Sequence, residues 1–461
     1  MSFTEIAFFA FLPLVLALYH LFHDSLRIQN ALIFVASLFF YGWWDWRFLS
    51  LFLLSIVVAY GVGRMIETSK HARVWLGAGI VVLVGILVTF KYANFFIDSF
   101  LVMLAQMGFS QSKFVLQIIL PIGISFYTFQ AIAYMVDVYR RDIRAERDFI
   151  CFGAFIAFFP QLVAGPIERA RDLLTQFHRR RTVTRRQVAE AIWLIVLGYF
   201  VKIGIADVLA PHVELAYSTR HASGWWVVLG TLAFALQIYG DFLGYSLIAK
   251  GVALLFGIEL IWNFNFPYWA TSLVDFWRRW HISLSNWLRD YIYVPLGGSR
   301  GSQGLYIRNL MLTMLLGGLW HGASWTFVLW GALHGVALGI NHLIGRWPPA
   351  YGLASLAGWI TTMSVVLVGW FLFRAGDSTL MLSMIGALGN FEWYPAHSGL
   401  LAMLVTLSGV IAALEWAEQR YGRFFVLDWP AWPRAALTSL IVAYIVVVSQ
   451  HTDVGFIYFQ F

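Results

Sequence analysis

The sequence predicts an all-α, polytopic integral membrane protein, and three observations carry that prediction. The 461 residues are 60% hydrophobic and 18% aromatic but only 12% charged. A soluble domain carries about twice that charge, which it needs to clothe its surface. Apolar runs of near-spanning length recur along the whole chain, and about 20 apolar residues suffice for one membrane-spanning helix. The cations are concentrated in the stretches between those runs, as expected of cytoplasmic loops. A typical soluble enzyme, a disordered chain and a nucleic-acid-binding module are excluded on composition.

Apolar segments fall at 6–22, 30–46, 48–63, 74–90, 114–138, 149–167, 190–210, 224–240, 247–262, 305–320, 324–344, 354–374, 398–416 and 433–449, with a shorter one at 96–107. Met1 to Leu26 holds no Lys or Arg, so a cleavable leader is not expected. The first cation, Arg27, predicts a retained first span with its N-terminus outside. Counting crossings from Arg27 places Arg64, Lys70 and Arg73 inside, then Arg140, Arg141, Arg144 and Arg147. Segment 149–167 breaks the alternation, because Arg169, Arg171, Arg179, Arg180, Arg181, Arg185 and Arg186 follow it directly. Both flanks favour the cytoplasm, so this segment, with Pro160, Gly165 and Pro166, is expected to dip in and return. Irregular backbone at that depth is tolerated only where protein buries it or it lines a cavity.

Net charge is +7, with five Lys against 26 Arg. Stretch 168–190 reads as a basic cytoplasmic loop. A sharper reading makes Arg179, Arg180 and Arg181 a docking surface for an acidic partner or donor phosphates. Cys151 is the only cysteine, so an intrachain disulfide and a multi-thiolate zinc site are excluded, and no metal site is expected. Phosphate-loop, His-Glu-x-x-His and nucleophile-elbow motifs are absent.

Residues 263–304 concentrate polar and aromatic side chains. Asp275, Trp277, Arg278, Arg279, Trp280, His281, Asn286, Trp287, Arg289, Asp290 and Tyr291 lie within seventeen positions. The ordinary reading is an interfacial helix with Trp anchors and snorkelling Arg; the functional one is a site whose ionisable groups need partners. In segment 305–344, Trp320 and His321 interrupt an apolar run between Gly317-Gly318 and Gly322. An intramembrane imidazole offers a base at neutral pH, or it is simply a hydrogen-bonded structural group. His334, thirteen residues on, reads as a supporting or packing histidine.

These stretches resemble the membrane-bound O-acyltransferase family, in its bacterial branch containing the alginate O-acetyltransferase membrane component; the lipoteichoic-acid D-alanylation protein is a more distant cousin. Leu120 to Tyr127, Phe159 to Ile167, Phe276 to Gly298 and Leu310 to Gly322 carry the resemblance, which runs on to Phe456–Phe461. It implies one domain over 1–461: a ring of about 10–13 transmembrane and re-entrant helices around a central cavity or tunnel. His321 takes the place of the family's essential histidine and His281 that of its second polar position. Trp277, Arg278, Arg279, Asn286, Arg289, Asp290, Trp320 and His334 are candidate supporting or donor-binding groups. The expected function is transfer of an acetyl group from a cytoplasmic thioester, acetyl-CoA or a similar donor, with no permanently bound cofactor. The group crosses the bacterial inner membrane to a periplasmic partner transferase and a secreted or cell-wall polysaccharide; nucleic acid is not a partner. Alginate-type relatives read Asp-Phe-Ser-Gly-Tyr-Ser-Asp-Met-Ala where this chain has Asp241 to Ala249, with Leu247 in place of an acidic residue. That departure leaves the polymer open among alginate, cellulose and cell-wall glycans. A transporter of an intact acylated carrier, or a scaffold for the periplasmic transferase, are the alternatives.

Overall fold

A computed structural model describes residues 1–109, 118–162, 165–218, 223–344, 352–449 and 455–457. All regular elements among the described residues are helical. Nine of these helices are long and apolar enough to cross a membrane, so this is a multi-pass membrane protein. The chain divides into two compact units, Met1–Thr184 with Val252–Ile261, and Arg185–Gly251 with Trp262–Phe461.

In the first unit, spans at Leu26–Trp44, Trp46–Thr68 and Ala72–Gln106 match the apolar runs with one correction. Segments 74–90 and 96–107 are one helix, because a π-turn at Val88–Tyr92 absorbs the polar Lys91 instead of ending the helix. The helix expected from residue 114 begins at Ile124, after the left-handed Gly123 (φ +73°); the first residues of segment 114–138, like Val163, Ala164 and 458–461 of the resembling stretches, lie outside the described residues.

The expected re-entrant segment holds a nine-residue helix, Phe149–Ala157, followed by a single turn at Phe159–Leu162. Nine residues rise about 14 Å, less than half the hydrocarbon thickness. Its loose backbone groups are met by side chains of neighbouring helices and of its own last turn. Gln130 and Gln161 both donate to the Phe155 carbonyl, at 3.2 and 2.9 Å, and the Phe159 amide donates to the Ser37 hydroxyl at 3.0 Å. That is how non-helical backbone survives away from water. Stretch 168–190 is not an open loop throughout. Ala170–Phe177 forms an amphipathic helix that buries Leu173, Leu174 and Phe177, and the next span already starts at Arg185.

In the second unit, Arg185–Ser218 runs continuously through a π-turn at Lys202–Asp207. Segments 224–240 and 247–262 are corrected to one 32-residue helix, Gly224–Leu255. The residues that suggested a break serve its packing instead. A methyl group on Gly244 would lie 2.7 Å from the Gly198 carbonyl oxygen, so this glycine marks a close helix crossing, while Asp241 is neutralised by Lys202 at 2.7 Å. Ser378–Ala387 is an additional short helix, capped by Asp377, that the apolar runs did not suggest.

Gln303–His321 and Trp325–Leu343 form a tight helical hairpin. A Cβ at Gly318 would stand 2.2 Å from the Phe327 carbonyl oxygen, and one at Gly331 would stand 2.4 Å from that of Met314. Gly331→Ala is therefore expected to cost about 1–3 kcal/mol, read as a lowered unfolding temperature in detergent. Gly339→Ala, whose Cβ meets nothing closer than 3.9 Å, is the neutral control.

Candidate active site

The hairpin sets the site. Trp320 and His321 end its first helix, and Trp330 and His334 lie one turn apart on its second. The four-residue spacing stacks the latter two on one helix face, with ring centroids 4.7 Å apart. His321 packs edge-on to Trp330 and to Phe373, each at 5.1 Å.

His281 enters from the 263–304 segment, which is not the continuous interfacial helix considered above. It folds as short pieces, Pro267–Trp269, Leu273–Arg279, Ile282–Leu288 and a π-turn at Arg289–Tyr293. His281 caps the third piece with a left-handed backbone, φ +41°, which is uncommon for a residue with a side chain. Asn263 holds that corner: its carbonyl accepts from the Ile282 amide at 2.9 Å, and its side chain accepts from the Ser283 hydroxyl at 2.7 Å.

The outcome is an aromatic cage with three imidazoles. His281 and His321 lie 6.5 Å apart by ring centroid, with Trp320 5.8 Å from His281. Trp277 lies edge-on to both Trp330 and His334, at 5.6 and 5.1 Å. The three histidines are 0%, 4% and 2% exposed, so bulk water does not reach them. Burial pushes the His281 imidazole down to about 3, leaving it neutral. His321 is the last residue of its helix.

Of the sequence-predicted residues, the cage unites His281, His321, His334, Trp277 and Trp320. The charged candidates look elsewhere. Arg279 pairs with Asp275 at 2.9 Å, Arg289 with Asp290 at 2.7 Å, Arg278 is exposed, and Asn286 is half-buried on the Ile282–Leu288 helix. In the other unit, Arg179 is exposed and Arg180 reaches Asp24 at 2.6 Å. Arg181 is buried, donates to Asn30 at 2.6 Å and stacks over Tyr19 and Phe177, so it takes no part in a docking surface.

Two buried polar groups of the second unit escaped the sequence reading. Lys202 bridges Asp207 and Asp241 at 2.5 and 2.7 Å, and the Ile457 amide donates to Asp241 at 2.6 Å. Glu415 accepts from the Tyr239 hydroxyl and, at 2.7 Å, from the Trp269 indole. It borders an apolar cavity of about 650 Å³ lined by residues including Leu232, Trp359, Leu367 and Leu404. Isolated charges inside apolar runs were the available signal for both. Leu247, the departure from alginate-type relatives, faces a small pocket shared with Glu415, Glu418 and Arg423.

The pattern describing the membrane-bound O-acyltransferase family matches residues 141–385, more than half of the chain and all three cage histidines. The chain belongs to the membrane-bound O-acyltransferase family. It is an acyltransferase. A probable alginate O-acetylase from Pseudomonas putida is 38% identical over 99% of both chains. One from Azotobacter vinelandii is 44% identical over 85% of this chain and 78% of its own. A peptidoglycan O-acetyltransferase from Helicobacter pylori is 34% identical over 83% and 78%.

Proposed function

We propose that this acyltransferase moves an acetyl group from a cytoplasmic thioester, acetyl-CoA in kind, across the bacterial inner membrane for O-acetylation of a secreted or cell-wall polysaccharide. The supporting observation is the buried pairing of His321 and His281 at 6.5 Å. That spacing is too long for a direct ring-to-ring hydrogen bond and suits one oxygen atom held between them at about 2.8 Å from each.

His321 is the general base. It takes the proton of the incoming hydroxyl as the oxygen attacks the thioester carbonyl, then returns a proton to the departing thiolate. Neutral His281 offers one N–H to the oxygen that gains charge, in a cage where water does not screen that contact. Trp277, Trp320 and Trp330 exclude water and fix the rings. The paired Arg289 and Asp290 leave little net charge for donor phosphates, so donor binding falls to the exposed Arg278.

The names of the relatives, which act on alginate and on peptidoglycan, support a polysaccharide acceptor; a periplasmic transferase would complete the relay. Mass analysis of surface glycans from cells with and without the protein tests this. The expected result is loss of acetyl esters from one polymer. Unchanged acetylation of every surface glycan would overturn the assignment.

A further inference from the structure

We propose that Glu146, Cys151 and His178 form a binding site for a zinc-class divalent ion at the base of the re-entrant segment. Cys151 lies in the first turn of Phe149–Ala157, Glu146 precedes that helix, and His178 follows Ala170–Phe177. One ligand atom from each residue lies within 4.8 Å of the other two. Glu146 and Cys151 are buried and His178 is exposed. All three residues belong to the first unit, and the cage histidines to the second.

The deciding feature is which atoms meet. The Glu146 carboxylate approaches His178 Nε2 at 2.6 Å, and the Cys151 sulfur approaches the same nitrogen at 3.6 Å. In a Cys–His–acid proton relay the thiol and the carboxylate take opposite nitrogens of the ring. Here both converge on one, which carries at most one proton and can satisfy only one acceptor. A cation among the three would satisfy all of them.

The distances suit a tetrahedral site. With Zn–S near 2.3 Å and Zn–N and Zn–O near 2.0 Å, sulfur and nitrogen stand about 3.6 Å apart, and oxygen and nitrogen about 3.3 Å. The sulfur–nitrogen pair already has that separation. The carboxylate would retreat by about 0.7 Å, and water at the open side of His178 would supply the fourth ligand.

The ligands are also pre-oriented. The amides of Arg147 and Asp148 donate to the other Glu146 oxygen, each at 2.8 Å, which turns Oε2 toward His178. Asp148 accepts from the Cys151 amide at 3.2 Å, and the Tyr134 hydroxyl accepts from the Glu146 amide at 2.9 Å. Such outer contacts commonly fix a metal ligand's orientation. A sulfur, nitrogen and carboxylate set favours zinc-like ions over magnesium or calcium. The ion would clip together the two ends of a segment whose middle contains Pro160 and Pro166. Sequence reading missed the site because its histidine lies 27 positions from its cysteine.

Cobalt(II) titration of the metal-stripped, full-length protein in detergent tests the site. The expected result is about one ion per chain, with the visible spectrum of tetrahedral cobalt and a sulfur-to-cobalt charge-transfer band that zinc removes. Cys151 is the only cysteine, so that band has one possible source, and Cys151→Ser should abolish it. His178→Ala, at an exposed position, should weaken binding by at least about 10–100-fold, the range that loss of an outer contact alone costs, as should Glu146→Gln, with each variant eluting as the parent does on gel filtration. A wild-type protein with no charge-transfer band, or an affinity unchanged by both His178→Ala and Glu146→Gln, would overturn the proposal.

Discussion

Replacing His321 by alanine lowers acyl transfer by about 10²–10⁴-fold, the range that loss of a positioned base costs. The protein itself should still reach the membrane. His321 contacts Trp320, Trp330 and Phe373 mainly through ring edges, and the hairpin beneath it is held by glycine-to-backbone approach rather than by the imidazole. His321→Gln, closer in volume, separates the two roles: it keeps the packing and still loses the base. His334→Ala should fall far less, because His334 meets Trp277 and Trp330 and stands one turn further along the hairpin. Membrane-normalised rates for the three variants give the comparison. Equal losses at His321 and His334 would make the cage a packing feature.

Lys202→Met is expected to be the most destabilising single change, by about 3–5 kcal/mol. It strands two carboxylates, Asp207 and Asp241, beside a 1%-exposed position. Breaking a buried pair costs more than replacing the whole pair, because the remaining charge has no solvent. Lys202→Met combined with Asp207→Asn and Asp241→Asn should therefore recover much of the loss, although the Ile457 amide would then face a neutral partner. Thermal unfolding in detergent distinguishes these variants. A triple variant no better than the single one would mean that the lysine does more than balance charge.

Much of this architecture was legible in the sequence because lipid enforces a simple rule: long apolar helices must span it. The short, broken helix at residues 149–167 was foreshadowed by Pro160, Gly165 and Pro166 within an apolar run. Breaks were harder to read. Gly240, Asp241 and Gly244 look like a helix terminus until the neighbouring Lys202 and Gly198 are in place, and that pairing is tertiary. The same limit governs the site. His321 stood out because it interrupts an apolar run, and the family resemblance singled out His281 as well. Which charges would turn toward the cage was not encoded locally: Arg279 and Arg289 each find an acid within four residues of themselves. Arg181 looked like surface charge in its run of arginines, yet Asn30, 151 positions away, draws it inside.

The central claim is that a bond breaks in this membrane protein and that only the acyl group moves on. Acetyl-CoA bearing one label in the acetyl group and a second in the CoA moiety, supplied to inverted membrane vesicles containing the protein, the periplasmic transferase and the polymer, tests it most directly. The account predicts that the acetyl label leaves the donor and reaches the polymer while the CoA label stays in the medium, with His321→Ala stopping the first. Joint movement of the two labels, or an acetyl transfer rate that His321→Ala leaves unchanged, would contradict it.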